Sequence, residues 1–495
     1  MRKTILLALA AALLLSACHQ KSGINQMGAT VFPASTIDDS VAITMGDVMP
    51  FYDNGIMNIY HLRNITGSNS LFYHPIARLT TSDYIHYKDE GVVLDYEEDI
   101  SSIDAALGTG SFIKDDTGLY HCFYTGHNGN AHDEDVQLPH VEAIRHATSP
   151  DQVSWTKDEE FMIFGYEDDF RDPYVYKDVE SGKYCMLITT RHAGNAVIKR
   201  YQADSLSVNK DGWVADEGFF FINDDGNYNM ECPSYVEYNG KFYLAYSEQG
   251  ENRVTHYRYR NANTGDWIRP SRDAIDASGF YAGRLEKAGE KLMAFAWCAR
   301  LTGGNTGSFD WAGNLVSHEL KQNENGELSP IMPKTYKDYF SHKVSYGEQE
   351  QYSFAGEKFE AHALNKKSTN VTRMAMTLSN LGDDGDFGIS FGLNNQYNNC
   401  LGDGMISFDL KEDRIICYNN VSSIVRYGSA LTSVYYSFEE NKEYSVNAII
   451  DDEIISVYVN DEVALTCRLV NMENNFFTIY SNKAKVEIKG TEFYE

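Results

Sequence analysis

Three acids stand at matching places in three repeated stretches of the chain. Asp47, Asp172 and Glu231 lie 11, 11 and 10 residues before Tyr- and Phe-rich segments that begin at Asn58, Lys183 and Lys241. Each interrupts an otherwise apolar or aromatic run. Carboxyl groups brought together in low dielectric raise one another's pKa, so one holds a proton while another is ionised. A proton donor facing a carboxylate across a small pocket is the arrangement that cleaves glycosidic bonds. Two plainer readings stand beside it. Each acid could simply accept backbone hydrogen bonds at a strand start, or the three could offer oxygens to calcium, although no DxDxDG spacing accompanies them.

The elements that must position these acids are strands. Long 3.6-residue periodicity is almost absent after residue 37, and short aromatic and β-branched runs alternate with Gly, Asp and Asn turns. An apolar strand, a turn and a Tyr/Phe-rich second strand recur five times. The second strands begin near Asn58, Leu119, Lys183, Lys241 and Lys291, at spacings of 61, 64, 58 and 50 residues. Three units add a third strand with a shared ending: ARLTTSDYIHY at 77–87, RHATSPDQVSW at 145–155 and the looser RYRNANTGDW at 258–267. Repeats at this period predict radial blades, hence an all-β, five-bladed β-propeller over 37–330. First strands of blades are innermost, so the three acids would ring one mouth of the central channel.

Residues 335–495 change pattern. Runs such as Ile389–Leu393, Met405–Leu410 and Ile454–Val459 alternate apolar with polar residues, which predicts a C-terminal β-sandwich. Asn460-Asp461 is a hairpin-turn signal after the last of these.

The chain has 495 residues, 43% hydrophobic and 23% charged, enough apolar residues for large cores. Lys and Arg total 42 against 71 Asp and Glu, a net charge of −29. That surface repels polyphosphate and argues against a nucleic-acid partner, while a neutral carbohydrate is indifferent to it. Residues 1–17 read as an export signal: Arg2 and Lys3, an apolar run over Ile5–Leu15, then Leu15-Ser16-Ala17-Cys18, which resembles the bacterial lipoprotein processing box. Cleavage before Cys18 and lipidation of its thiol would anchor the chain in a bacterial envelope, with the outer membrane preferred and residues 18–36 as a tether. The lipid would be its only membrane contact. The remaining cysteines are scattered without a CxxC pair and read as buried free thiols. His61, His74, His86, His121, His140 and His146 lack metal-ligand spacing and read as packing or surface residues. No metal, nucleotide or redox cofactor is implied.

The same residues carry a family resemblance. Phe170-Arg171-Asp172-Pro173 and Met230-Glu231-Cys232-Pro233, 59 residues apart from Asp172 to Glu231, are similar to the arginine–aspartate–proline and glutamate–cysteine–proline motifs of glycoside hydrolase family 32, the fructan and sucrose β-fructofuranosidases. Gly110-Ser111, Ala147–Asp151, Trp155, Phe280-Tyr281-Ala282 and Trp311–Leu315 fall in places the family expects. The resemblance spans about residues 37–490, since the family also carries a C-terminal sandwich. It implies that Asp47 is the nucleophile, Glu231 the general acid/base and Asp172 a transition-state stabiliser helped by Arg171. Ser111, Tyr281 and Trp311 would line the sugar site.

The implied reaction is retaining cleavage of terminal β-D-fructofuranosyl linkages in levan, inulin, fructo-oligosaccharides or sucrose, with the two carboxyl groups about 5–5.5 Å apart. The first motif departs from the family pattern. Thr44-Met45-Gly46-Asp47-Val48 replaces the usual tryptophan, x, asparagine, aspartate, proline, so an amide and an aromatic wall are missing. Two rivals stand beside this reading: an arabinose- or xylose-directed glycosidase of a related five-bladed family, which also uses two aspartates and a glutamate, and a non-catalytic carbohydrate-binding lipoprotein, which that departure supports best.

Overall fold

The computed structural model describes residues 30–38, 41–65, 74–250, 253–301, 309–367, 371–382, 384–391, 404–419, 430–469 and 476–495. The signal segment and Cys18 lie outside them.

Five antiparallel blades follow one another along the chain. Their first strands are Val41–Asp53, Ala106–Lys114, Phe170–Lys177, Asn229–Tyr238 and Tyr281–Ala288. Each of these five neighbours the next and the last neighbours the first, so they form a closed ring around an axis. Each pairs with a hairpin partner, respectively Ile56–Ile65, Tyr120–His127, Tyr184–His192, Lys241–Gln249 and Lys291–Leu301. These second strands start within two residues of the expected places. Aromatic and aliphatic side chains fill the wedges between blades. Met49, Tyr60, Phe112 and Tyr124 join the first two blades, Phe123, Phe170 and Met186 the next pair, and Leu187, Tyr235 and Leu244 the pair after that.

The shared third-strand endings are turn devices. Asp83 Oδ1 accepts the N–H of Ile85 at 2.9 Å and of His86 at 2.8 Å. Asp151 Oδ1 accepts those of Val153 and Ser154 at 2.9 and 2.7 Å. A short carboxylate that caps the N–H groups two and three residues on fixes the bend leading to the outer strand.

All five first strands break ladder register at the same level. The shifts fall between Gly46 and Met49, Gly108 and Gly110, Arg171 and Tyr174, Glu231 and Ser234, and Tyr281 and Arg284. A bulge leaves residues unpaired and re-aims a side chain. It also tolerates proline, which has no ladder N–H to give, so Asp172-Pro173 and Cys232-Pro233 are bulge sequences. The bulge residues Asp47, Asp172, Cys232 and Ala282 all have positive φ, of 28°, 59°, 52° and 55°.

This register corrects the expected equivalence of the three acids. Asp47 and Asp172 occupy the bulge position itself. Glu231 sits one residue earlier, paired to Ser247, where the third blade has Arg171 and the fifth has Tyr281. Counting back from a second strand does not locate a bulge, because the turns between the strands differ in length.

The described residues between 343 and 495 form two packed sheets around one core that includes Phe387, Phe408, Val446, Ile455 and Ile488. The Asn460-Asp461 turn is present, with φ of 54° at both residues. Sandwich and propeller are bonded through buried polar groups. His318 joins Asp276 and Tyr458, both at 2.9 Å, and Arg468 Nε donates to the Ala299 carbonyl at 2.9 Å. The end of the expected tether belongs to the fold: Val31 and Phe32 are buried, and the Pro33 carbonyl accepts the Leu315 N–H at 3.0 Å. Six cysteines among the described residues are buried free thiols.

Candidate active site

At the bulge level the ring encloses a cavity of about 290 Å³. Asp47, Thr109, Glu142, Arg171, Asp172, Glu231 and Trp311 line it, together with Leu62, His74 and His127. The expected rim segments 98–106 and 127–141 contribute Ala106 and His127. The three acids therefore meet, although they come from three blades.

Their partners differ. Asp47 accepts the Thr109 hydroxyl on Oδ2 at 2.8 Å and the Trp297 indole N–H on Oδ1 at 3.1 Å. Both oxygens are held, which aims the carboxylate. Asp172 accepts the Cys232 N–H at 2.8 Å, and its own N–H goes to Thr125 Oγ1 at 2.9 Å. One bulge thereby braces the next. Glu231 accepts Arg171 Nη2 on Oε1 at 2.9 Å and the Tyr281 hydroxyl on Oε2.

Burial pushes all three carboxyls above their ordinary values. Repulsion from Glu231 adds to the rise at Asp47, while the bonds from Thr109 and Trp297 oppose it. Asp172 is pushed up to about 6, against the pull of Arg171. At Glu231 the Arg171 cation opposes the rise and Asp172 adds to it. A carboxyl so placed holds a proton into the pH range where a general acid is useful.

Arg171 lines the cavity, and both of its Nη groups are engaged. Besides Glu231 it bonds Asp169 at 2.6 Å, Gln249 at 3.1 Å and Glu142 at 3.4 Å. Those bonds hold Arg171 against Glu231, and its Nε stands 4.0 Å from Asp172 Oδ2. Trp311 is in the wall as expected. Tyr281 reaches the site through its contact with Glu231. Ser111 is corrected: it does not line the cavity, and its Oγ accepts the Val175 N–H at 2.9 Å, joining the second and third blades. His74, read as packing or surface, lines the cavity with its ring centroid 4.4 Å from that of Trp311.

Thr109, Trp297 and Glu142 were missed by sequence reasoning. Thr109 had a usable signal, since Gly108-Thr109-Gly110 opens the second blade at the level of Asp47 and Asp172. Trp297 lies within a second strand that reads only as core. Elsewhere, Asp225, His256 and Asp273 cluster as metal ligands can. Arg258 and Arg269 pair with both aspartates, which makes the cluster a salt-bridge network.

A small axial cavity ringed by carboxyls with unlike partners is a centre of the glycosidase class. Residues 49–325 match the glycosyl hydrolases family 32 N-terminal domain. The chain belongs to that family.

A sucrose-6-phosphate hydrolase of Escherichia coli is 29% identical over 189 residues, 37% of this chain and 36% of that protein. The chain thus matches little more than a third of that relative's length. Among solved structures, a sucrose-6-phosphate hydrolase from Lactobacillus gasseri superposes with a TM-score of 0.71 at 17% identity, over 98% of this chain and 96% of that one. An exo-inulinase from Aspergillus awamori gives 0.70 at 15% identity, over 91% and 95%. Both likenesses extend through propeller and sandwich.

Proposed function

We propose that the protein is a retaining β-fructofuranosidase acting on uncharged fructosides: levan, inulin, fructo-oligosaccharides or sucrose. The observation that carries this reading is that Asp47 and Glu231 face one cavity with opposite support. Asp47 is held at both oxygens by a hydroxyl and an indole N–H, ready to attack. Glu231 is buried and its pKa raised, ready to give a proton. Glu231 protonates the leaving glycosidic oxygen as Asp47 attacks the anomeric carbon, giving a fructosyl ester. Glu231, now ionised and steadied by Arg171 and Tyr281, takes a proton from water, which attacks the same carbon and frees Asp47. Asp172 accepts sugar hydroxyls with its second oxygen.

Charge supports a neutral substrate. Among the described residues Arg171 is the one arginine lining the cavity, no lysine lines it, and four carboxyls do. The sucrose-6-phosphate hydrolases are named for a phosphorylated substrate; among the described lining residues, both Nη groups of Arg171 are already bonded to protein acceptors. The localisation proposed is an envelope face outside the cytoplasm, with Cys18 lipidated. Loss of fatty-acid labelling in a Cys18→Ser variant tests that part.

The deciding experiment is incubation of protein lacking residues 1–18 with sucrose, inulin and levan, with product chromatography and a Glu231→Gln control. Fructose that appears with the wild type and not with the control supports the reading. No product from any of the three sinks it.

A further inference from the structure

Beneath the cavity lies a charged group that the reaction above does not use. Arg284 belongs to the first strand of the fifth blade, two residues beyond the bulge at Ala282. It does not line the cavity and is 1% exposed. Its Nη1 donates to the Gly110 carbonyl of the second blade. Its guanidinium carbon stands 5.7 Å from the ring centroid of Tyr174 in the third blade. Both partners lie across the ring from the fifth blade, so the side chain crosses the propeller axis. Its Nε and Nη2 have no hydrogen-bond partner among the described residues. A buried cation with unpaired donors is costly unless charge of the opposite sign compensates it. The Gly110 carbonyl that it bonds adjoins Thr109, whose hydroxyl bonds Asp47, and Asp172 lines the same cavity as Asp47.

We propose that Arg284 is the counter-charge of the active site: a positioning residue that acts through the cavity floor, without touching the sugar, to keep Asp47 and Asp172 ionised. The geometry suits the task. Asp47 faces Thr109 of the second blade, Asp172 of the third, Glu231 and Cys232 of the fourth, and Trp297 and Tyr281 of the fifth. Asp172 faces Arg171, Cys232 and Asp47. Every charged group in that set is acidic except Arg171, whose two Nη groups are engaged by Asp169, Glu142, Gln249 and Glu231. Arg284 adds a second cation, and its pull opposes the rise of both carboxyls. Without it Asp47, the nucleophile of the proposed reaction, would stand among carboxyls with Arg171 as the one cation near it among the described residues. This inference rests on the catalytic reading for its consequence, but not for its physical content.

The test therefore has an arm that needs no substrate. Asp carboxyls are labelled with carbon-13, and the signals of Asp47 and Asp172 are identified by their loss in Asp47→Asn and Asp172→Asn. Titration is followed in the wild type, Arg284→Gln and Arg284→Lys. Gln keeps a donor for the Gly110 carbonyl and removes the charge, while Lys keeps the charge. The expected result is an upward shift of at least one of the two midpoints by about one pH unit or more in the Gln variant, with Lys close to wild type. The acid limb of kcat/KM should move up with it, and kcat should fall about tenfold on that limb while KM changes little.

An unchanged titration in folded Arg284→Gln overturns the proposal. So does a wild type in which both carboxyls titrate above pH 7, a result that holds even if no variant folds. Absence of fructoside hydrolysis in the wild type defeats the catalytic reading instead and leaves the titration arm intact.

Discussion

A β-carbon on Gly46 would sit 2.3 Å from Cζ2 and 2.4 Å from Cη2 of Trp311. The indole of the fifth blade thus covers the residue beside Asp47. Where family members carry an asparagine next to the catalytic aspartate, this chain has a glycine, and Trp311 takes up the space. Trp311 also packs against Trp297, which bonds Asp47, with ring centroids 6.3 Å apart. The glycine of the altered first motif is therefore half of a matched pair with Trp311.

Gly46→Ala should drive the indole out of place. Overpacking of this kind costs about 1–3 kcal/mol, and kcat/KM should fall at least roughly tenfold as the Trp297–Asp47 bond is disturbed. The double variant Gly46→Ala/Trp311→Ala should be less destabilised than the two single changes summed. Denaturant midpoints of the four proteins measure the coupling. Additive effects would show that the contact carries no strain.

Tyr281→Phe removes the hydroxyl that steadies the ionised form of Glu231. The folded pKa of Glu231 should then rise by about one unit, the value of one hydrogen bond to a charged group. In the proposed reaction Glu231 must be protonated to act as an acid, so the basic limb of kcat/KM should move to higher pH. The second half-reaction needs Glu231 ionised, so kcat should fall. A pH profile whose basic limb does not move would detach Tyr281 from the proton donor.

Asp172→Asn should abolish hydrolysis and stabilise the fold at neutral pH. The folded pKa of Asp172 is raised from an ordinary 3.8 to about 6. The native state therefore binds the proton more tightly than the unfolded chain between those values. Stability from the neutral carboxyl is fully present below about pH 4 and is lost as pH rises through about 6. At about 1.4 kcal/mol per unit, the ionised group costs about 3 kcal/mol at pH 7. Urea midpoints should show a gain for the variant at pH 7 that shrinks toward zero at pH 4. An equal gain at both values would refute the ionisation account.

Sucrose should be a better substrate than sucrose 6-phosphate by at least roughly tenfold in kcat/KM. A doubly charged phosphate near four carboxyls, with both Nη groups of the one arginine among the described lining residues already bonded, meets repulsion of more than about 1.4 kcal/mol. Competition between the two sugars measures the ratio directly. A preference for the phosphorylated sugar would point to a cation outside the cavity described here.

Much of this protein is written locally. Alternating apolar and polar residues give strands, the repeat of strand and turn gives five blades, and proline after Asp172 and Cys232 marks two of the bulges. Asp47, Asp172 and Glu231 could be singled out because an acid in an apolar run is conspicuous in any one strand. What tertiary structure decided is what those acids touch. Asp47 is held by Thr109 and Trp297, 62 and 250 residues away along the chain. Trp311 lies over Gly46, and Arg284 reaches Gly110 across the axis. These contacts exist only once the ring closes. The offset of Glu231 by one residue, the engagement of Arg171 by carboxylates and the place of Ser111 beneath the cavity depend on bulge register and on the rotation of one blade against the next. Packing between distant strands sets both, and no local pattern encodes it.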